Sequence, residues 1–186
     1  MNAVYCLDDL ICACQDGARL KFLMFWGHKP KRKGVADKAV LSQWFPAAFE
    51  IDGRIYPTAE HYMMAQKALL FGDFMMFEQI VSADNPGKAK ALGRQIAGFD
   101  EAVWCENRER IVYEGNVAKF GQHDDLKNFL LETGDKVLVE ASPWDRVWGI
   151  GLAADDPAAA RPAEWPGLNL LGFTLMRVRA AWAGAA

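Results

Sequence analysis

Residues 48 to 67 leave the chain little choice of local structure. In Ala48-Phe49-Glu50-Ile51-Asp52-Gly53-Arg54-Ile55-Tyr56 the Asp-Gly pair supplies the positive φ that a tight primed turn demands, so the stretch predicts a β-hairpin. Pro57 and Thr58 follow at once and read as a helix start. Thr58 can accept a hydrogen bond from an unpaired first-turn N–H, and the Ala/Met/Gln run behind it favours helix. The hairpin therefore controls where Glu60, in the first turn, points. Lys67 lies two turns on; seven residues at about 1.5 Å rise put the two Cα atoms roughly 10 Å apart on nearly the same side. Both long side chains could reach one substrate from there. The plainer reading is that Glu60 suits the helix dipole and Lys67 is an ordinary exposed lysine.

At 186 residues the chain has the size of one domain, able to bury roughly 70% of the surface its unfolded form exposes. No apolar run approaches the 18 or so residues of a membrane span, and the N-terminus has acids where a signal peptide would carry its apolar core. A cytosolic, soluble protein with no membrane partner is expected. Cys6, Cys12, Cys14 and Cys105 do not make a zinc pattern, and His28, His61 and His123 lack the i, i+4 spacing of a helical metal site, so neither metal nor cofactor is expected. The formal net charge of −3 argues against bulk electrostatic binding of nucleic acid. Lys29, Lys31, Arg32 and Lys33, with Lys38 beyond, form a local basic loop that either holds a phosphate or is simply solvated.

Residues 1–21 read as an N-terminal extension: a short apolar segment, then a turn at Gln15-Asp16-Gly17-Ala18. Residues 21–27 have the aromatic density of a buried strand. Asn85-Pro86 opens a helix predicted to run through Ile96 and close near Gly98, with Lys88, Lys90 and Arg94 on its wet face. Residues 101–120 form a longer helix with Trp104, Ile111, Gly115 and Ala118 on one stripe, and 124–132 another that ends at Gly134. Residues 136–141 are a strand, and Leu168 to Trp182 a final amphipathic segment. No linker divides the chain, so the expected architecture is one α+β domain over residues 22–186, predominantly helical around a small β-sheet.

A second group of polar and aromatic residues follows the last strand, Ser142-Pro143-Trp144-Asp145-Arg146-Val147-Trp148-Gly149-Ile150-Gly151. Loops at strand ends often carry chemistry, and Gly149 and Gly151 would let the backbone approach a ligand closely. Asp145 is equally a common turn residue and Trp148 a common core residue. Seven tryptophans exceed what a core of this size needs, and aromatic faces stack on heterocyclic rings. N-glycoside hydrolysis would unite these features. A carboxylate activates water or supports an oxocarbenium-like centre, and a stacking surface helps the base leave. Glu60 and Asp145 are the candidate carboxylates, Trp104 and Trp148 the candidate platforms, and Lys67 the candidate cation or imine-forming amine.

Leu41-Ser42-Gln43-Trp44-Phe45, Tyr56-Pro57-Thr58-Ala59-Glu60-His61-Tyr62 with Met64-Ala65-Gln66-Lys67-Ala68, Ala89-Lys90-Ala91-Leu92-Gly93-Arg94, Gly115-Asn116-Val117-Ala118-Lys119-Phe120, Val139-Glu140-Ala141-Ser142-Pro143 with Trp148-Gly149-Ile150-Gly151, and Asn169-Leu170-Leu171-Gly172 together resemble the YbiA-like, or NADAR, family over roughly residues 22–183. The resemblance implies a compact, mainly helical α+β fold and metal-free N-glycosidase activity. Members are associated with cleaving the N-ribosyl bond of phosphorylated ribosylaminopyrimidines, reactive riboflavin-biosynthesis intermediates, as damage control. Others are associated with ADP-ribose chemistry, including removal of ADP-ribose from guanine in nucleic acid. A non-catalytic sensor of NAD-derived nucleotides or ADP-ribose is a third reading. The resemblance also implies that Glu60, Lys67 and Asp145 are catalytic, and that Trp44, Phe45, Tyr62, Trp104, Trp148 and Gly149 contact a small phosphorylated N-riboside. Two departures stand out: Gln43 replaces the usual Asn of the first motif, and the basic loop at 29–38 lies where many relatives are shorter.

Overall fold

The computed structural model describes residues 4–32 and 34–184, so Lys33 of the basic loop lies outside the described residues. Seven α-helices and two two-stranded sheets are present among them, an α+β fold that is mainly helical. The chain divides into two compact units, Met1–Ser42 with Asp125–Ala186, and Gln43–Asp124.

In the first unit, β1 (Phe22–Phe25) runs parallel to β4 (Val137–Glu140), with Phe22 opposite Val137 and Phe25 opposite Glu140. Helix α7 (Leu170–Ala183) packs on β4 and buries Leu171, Leu175 and Val178. Asn169 enters α7 with φ of 53°, and its side chain acts as a short extra strand: Nδ2 donates to the Leu138 carbonyl at 2.9 Å, and Oδ1 accepts from the Glu140 N–H at 2.9 Å. Such left-handed backbone favours Asn over most residues because its short amide can bond locally. Gly172 lets the helix come down on the strand, since a Cβ there would lie 2.1 Å from the Leu138 carbonyl oxygen. The segment expected as an extension contains a helix of its own, α1 (Leu7–Gln15), which buries Leu10 and packs on the turn at Pro162–Glu164. Helix α6 (Asp124–Glu132) precedes β4.

The second unit begins with the hairpin as expected. Strands β2 (Phe49–Ile51) and β3 (Arg54–Tyr56) are antiparallel, with Asp52 at φ 51° and Gly53 at φ 74° in the turn. It delivers α2 (Ala59–Leu70), whose N-terminus Thr58 caps by accepting from the His61 N–H. Three helices pack around α2: α3 (Phe74–Val81), α4 (Pro86–Gly93) and α5 (Glu101–Gly121). Eight of the twelve residues of α2 are buried, so it is the unit's central helix rather than an amphipathic surface one. Two glycines permit the close approach: a Cβ at Gly93 would meet Met64 Sδ at 2.1 Å, and one at Gly115 would meet the Tyr62 ring at 2.4 Å.

Helix α4 ends at Gly93, three residues earlier than the sequence pattern predicts. The Gln95 N–H turns back to the Leu92 carbonyl, and the Ala97 N–H reaches Asp73 Oδ2 at 3.0 Å. The other oxygen of Asp73 caps α3 through the Met76 N–H. That helix was not foreseen, because Phe74-Met75-Met76-Phe77 is apolar on every side and shows no helical stripe.

Candidate active site

The strongest constellation is built within the Gln43–Asp124 unit. Glu60 sits in the first turn of α2, only 2% exposed, although a carboxylate there has every reason to seek solvent. Its backbone N–H donates to the Gln43 carbonyl at 3.0 Å. The Gln43 side chain then reaches α5, where Oε1 accepts from Asn116 Nδ2 at 2.9 Å, and the same Nδ2 also donates to the Val112 carbonyl. Gln43 and Asn116 are both buried, and Gln43 Nε2 and Asn116 Oδ1 have no hydrogen-bond partner among the described residues. One buried donor and one buried acceptor are thus left to be satisfied by something else, which is costly unless a substrate or water does so. The longer amide at position 43 therefore remains a donor while leaning on Asn116.

Lys119 lies one turn beyond Asn116 on the same face of α5. Its side chain is completely buried, with Nζ 5.1 Å from the Phe120 ring centroid and 5.8 Å from that of Phe45. Burial alone pulls its pKa from 10.5 down to about 7. A lysine of this kind holds both a transferable proton and a substantial neutral fraction near neutrality.

Other anticipated residues have different surroundings. Lys67 Nζ donates to the Gly93 carbonyl at 3.0 Å and lies 4.0 Å from the Phe99 ring centroid and 5.5 Å from that of Trp104. Desolvation lowers its pKa and Glu101 opposes the drop; neither a hydrogen bond nor an ion pair joins it to Glu60 among the described residues. Trp104 is thus a wall beside an ammonium, a cation–π arrangement, where a platform for a base was expected. Trp44 packs over the first turn of α4, its Cη2 within 3.6 Å of where a Gly87 Cβ would be. Tyr62 is set about 200° around α2 from Glu60 and packs against Phe49, Tyr56 and Gly115, so it does not join the Glu60 face.

Asp145, Trp148 and Gly149 belong to the other unit. Asp145 Oδ1 accepts from the Val147 and Trp148 N–H groups at 2.9 and 2.8 Å, which makes it the organiser of its turn. The Trp148 carbonyl accepts from the Leu171 N–H, anchoring the start of α7. The close approach that Gly149 permits is to the protein's own chain: a Cβ would lie 2.8 Å from the Glu140 carbonyl oxygen. In the basic loop, Lys38 Nζ donates to the Met24 carbonyl, and the Lys31 N–H donates to Asp37. Among the described residues no three His, Cys, Asp or Glu side chains are grouped as metal ligands would be, and no helix is long and apolar enough to cross a membrane.

Residues 24–182 match the NADAR domain. The chain belongs to the NADAR-domain family. An N-glycosidase of Acanthamoeba polyphaga mimivirus is 44% identical over 164 residues, an alignment that covers 86% of this chain and 95% of that protein. N-glycosidase YbiA of Escherichia coli (strain K12) is 33% identical over 130 residues, 70% of this chain and 72% of that one. The NMR structure of E. coli YbiA matches with a TM-score of 0.69 at 27% identity, covering 89% of this chain and 86% of that one. With relatives of this coverage, this NADAR-domain protein is an N-glycosidase. Asn116 and Lys119 lie in the motif Gly115–Phe120, which by itself assigns neither of them a role. The available signal was the three-residue spacing of Asn116 and Lys119, which puts two polar side chains on one face of the helix inside a family motif.

Proposed function

We propose that this N-glycosidase hydrolyses the N-ribosyl bond of a phosphorylated ribosylaminopyrimidine, with Glu60 and Lys119 as its catalytic carboxylate and amine. The observation that carries the reading is the burial of both groups on helices linked through Gln43 and Asn116. Two ionisable groups are not withdrawn from water in that way for stability alone. In the reaction the C1′–N bond breaks with its electron pair passing to the base, and positive charge grows at C1′. Glu60 stabilises that charge and takes a proton from the water whose oxygen bonds to C1′. The protonated form of Lys119 gives its proton to the departing nitrogen, a transfer for which a pKa of about 7 is well matched. Gln43 Nε2 and Asn116 Oδ1 supply a donor and an acceptor for sugar hydroxyls.

Lys67 is engaged by a carbonyl and two aromatic faces, so we assign the amine role to Lys119 in its place. Asp145 holds a turn, and any further part it plays in catalysis is separable from that duty by substitution. The net charge of −3 supports a small metabolite over a nucleic-acid strand as substrate. The test is to incubate the purified protein with the ribosylaminopyrimidine 5′-phosphate and, separately, with DNA carrying ADP-ribosylated guanine. Release of ribose 5-phosphate or of ADP-ribose is followed, with Glu60→Gln as control. Turnover of the first substrate, lost in the variant, is the expected result. Turnover of the second alone would move the enzyme to ADP-ribose removal, and turnover of neither would favour a sensor. Borohydride trapping shows whether the neutral form of Lys119 also forms an imine with the opened sugar.

A further inference from the structure

A cleft of about 490 Å³ is lined by residues of α2 and α5 that face away from Glu60, Asn116 and Lys119. On α2, Tyr62 and Gln66 line it; Tyr62 lies about 200° and Gln66 about 120° around the helix from Glu60. On α5 its wall includes Glu114, Val117 and Ala118, and the hairpin contributes Ile51 and Asp52.

Tyr62 marks the cleft as a built site. The residue is only 3% exposed, and its ring is clamped by Phe49, Tyr56 and the missing side chain of Gly115. The residue nevertheless lines the cleft, and its hydroxyl oxygen is not among the atoms sealed from solvent. A phenol held with its ring buried and its oxygen at a cleft is placed to bond a ligand there. Burial, with Glu114 close by, raises its pKa, so the group stays a neutral hydroxyl able to accept a hydrogen bond.

Apart from the Tyr113 hydroxyl, which can donate or accept, the neighbouring polar groups offer acceptors. Gln66 turns its Nε2 to the Tyr56 hydroxyl at 3.5 Å, which leaves Oε1 as the acceptor end of the amide. Asp52 brings a carboxylate on the hairpin turn. The Glu114 carboxylate is bridged by Arg110 at 3.0 and 3.1 Å, so the negative charge not answered by Arg110 is that of Asp52. A hydroxyl oxygen, an amide oxygen and a carboxylate suit a group with several donors, no acceptor and a positive charge. A primary ammonium has that chemistry, with three donors and one charge. Ile51, Val117 and Ala118 offer an apolar wall for the carbon chain behind it.

We propose that this cleft binds a small primary alkylamine, at a site separate from the catalytic residues. The pairing is partly exposed, so affinity falls on the order of millimolar and weakens with salt. The proposal does not depend on which N-riboside the enzyme cleaves.

Calorimetric titration of the full chain with 1,4-diaminobutane at low salt tests it, with 1,4-butanediol as the uncharged counterpart. Saturable one-site binding of the diamine and none of the diol is expected. Tyr62→Phe and Asp52→Asn should each weaken binding by about tenfold, and Glu60→Gln should leave it unchanged. Asp52→Asn keeps an Asn-Gly turn, which the hairpin accepts, so its result is not confounded by folding. Failure to saturate, equal binding of the diol, or wild-type affinity in Asp52→Asn would each overturn the assignment.

Discussion

Replacing Lys119 with Met should abolish activity and raise stability together. The drop in the lysine's pKa from 10.5 to about 7 means that burial costs its ammonium more than its neighbours return, by about 5 kcal/mol. The sign follows from linkage. Below pH 7 the folded and unfolded chains both carry the proton, and the folded chain bears the whole cost. Between pH 7 and 10.5 the unfolded chain holds more of the proton than the folded one, so stability rises with pH across that window. Met fills a similar volume without a charge. The variant should therefore gain up to about 5 kcal/mol near pH 6 but only about 1 kcal/mol near pH 9.5. For a chain of this size that is a rise in Tm of about 10 °C or more at the lower pH and about 2–4 °C at the higher. Thermal unfolding followed by circular dichroism at both pH values, beside the ribose 5-phosphate assay, reads both effects. A Met variant less stable than the wild type near pH 6, or one whose gain is the same at both pH values, would refute the account of a desolvated ammonium.

Other consequences are equally direct. Glu60→Gln should lower kcat by about 10²- to 10⁴-fold with little change in substrate affinity, measured by comparing turnover with equilibrium binding; a variant that keeps wild-type turnover would remove Glu60 from the mechanism. Gly172→Ala drives a Cβ to 2.1 Å from a backbone oxygen, whereas Gly93→Ala meets side-chain atoms of Met64, from Sδ back to Cγ and Cβ. The first should cost about 3 kcal/mol and the second less, about 1–2 kcal/mol after the gain in helix propensity, because a side chain can give where a backbone cannot, read by urea denaturation. His61 is buried, with Nδ1 2.8 Å from the Thr58 hydroxyl oxygen and Nε2 3.1 Å from the Ala83 carbonyl oxygen, and burial lowers its pKa from 6.5. Its neutral form belongs to the fold, so its contribution is complete above pH 6.5 and is lost as the pH falls through the lowered value; His61→Gln should flatten that part of a Tm-against-pH curve. Asp145→Asn retains the Oδ1 that accepts two N–H groups, so it should fold normally while Asp145→Ala loses roughly 2 kcal/mol. Loss of turnover in the Asn variant would give the carboxylate a chemical role beyond its turn.

Features that depend on a few neighbouring residues were decided by the sequence itself. The Asp52-Gly53 turn, the Thr58 and Asn85 caps and the helix over 101–120 follow from backbone preference and local hydrogen bonding, which act over three or four residues whatever the rest of the chain does. The position of Glu60 in a first turn belongs to this class, as does the match of separate motifs to one family. Where helix α4 stops was decided elsewhere, by a carboxylate at Asp73 that draws the Ala97 N–H away. Gly149 looked like room for a ligand, but the space belongs to the Glu140 carbonyl. The chemistry at Lys119 was likewise settled by packing. In the sequence it is a lysine in the last turn of a helix, where a cation is welcome. A pKa of about 7 arises only once tertiary packing removes water from around the amine, because desolvation depends on every element packed around a group and on none of its sequence neighbours alone.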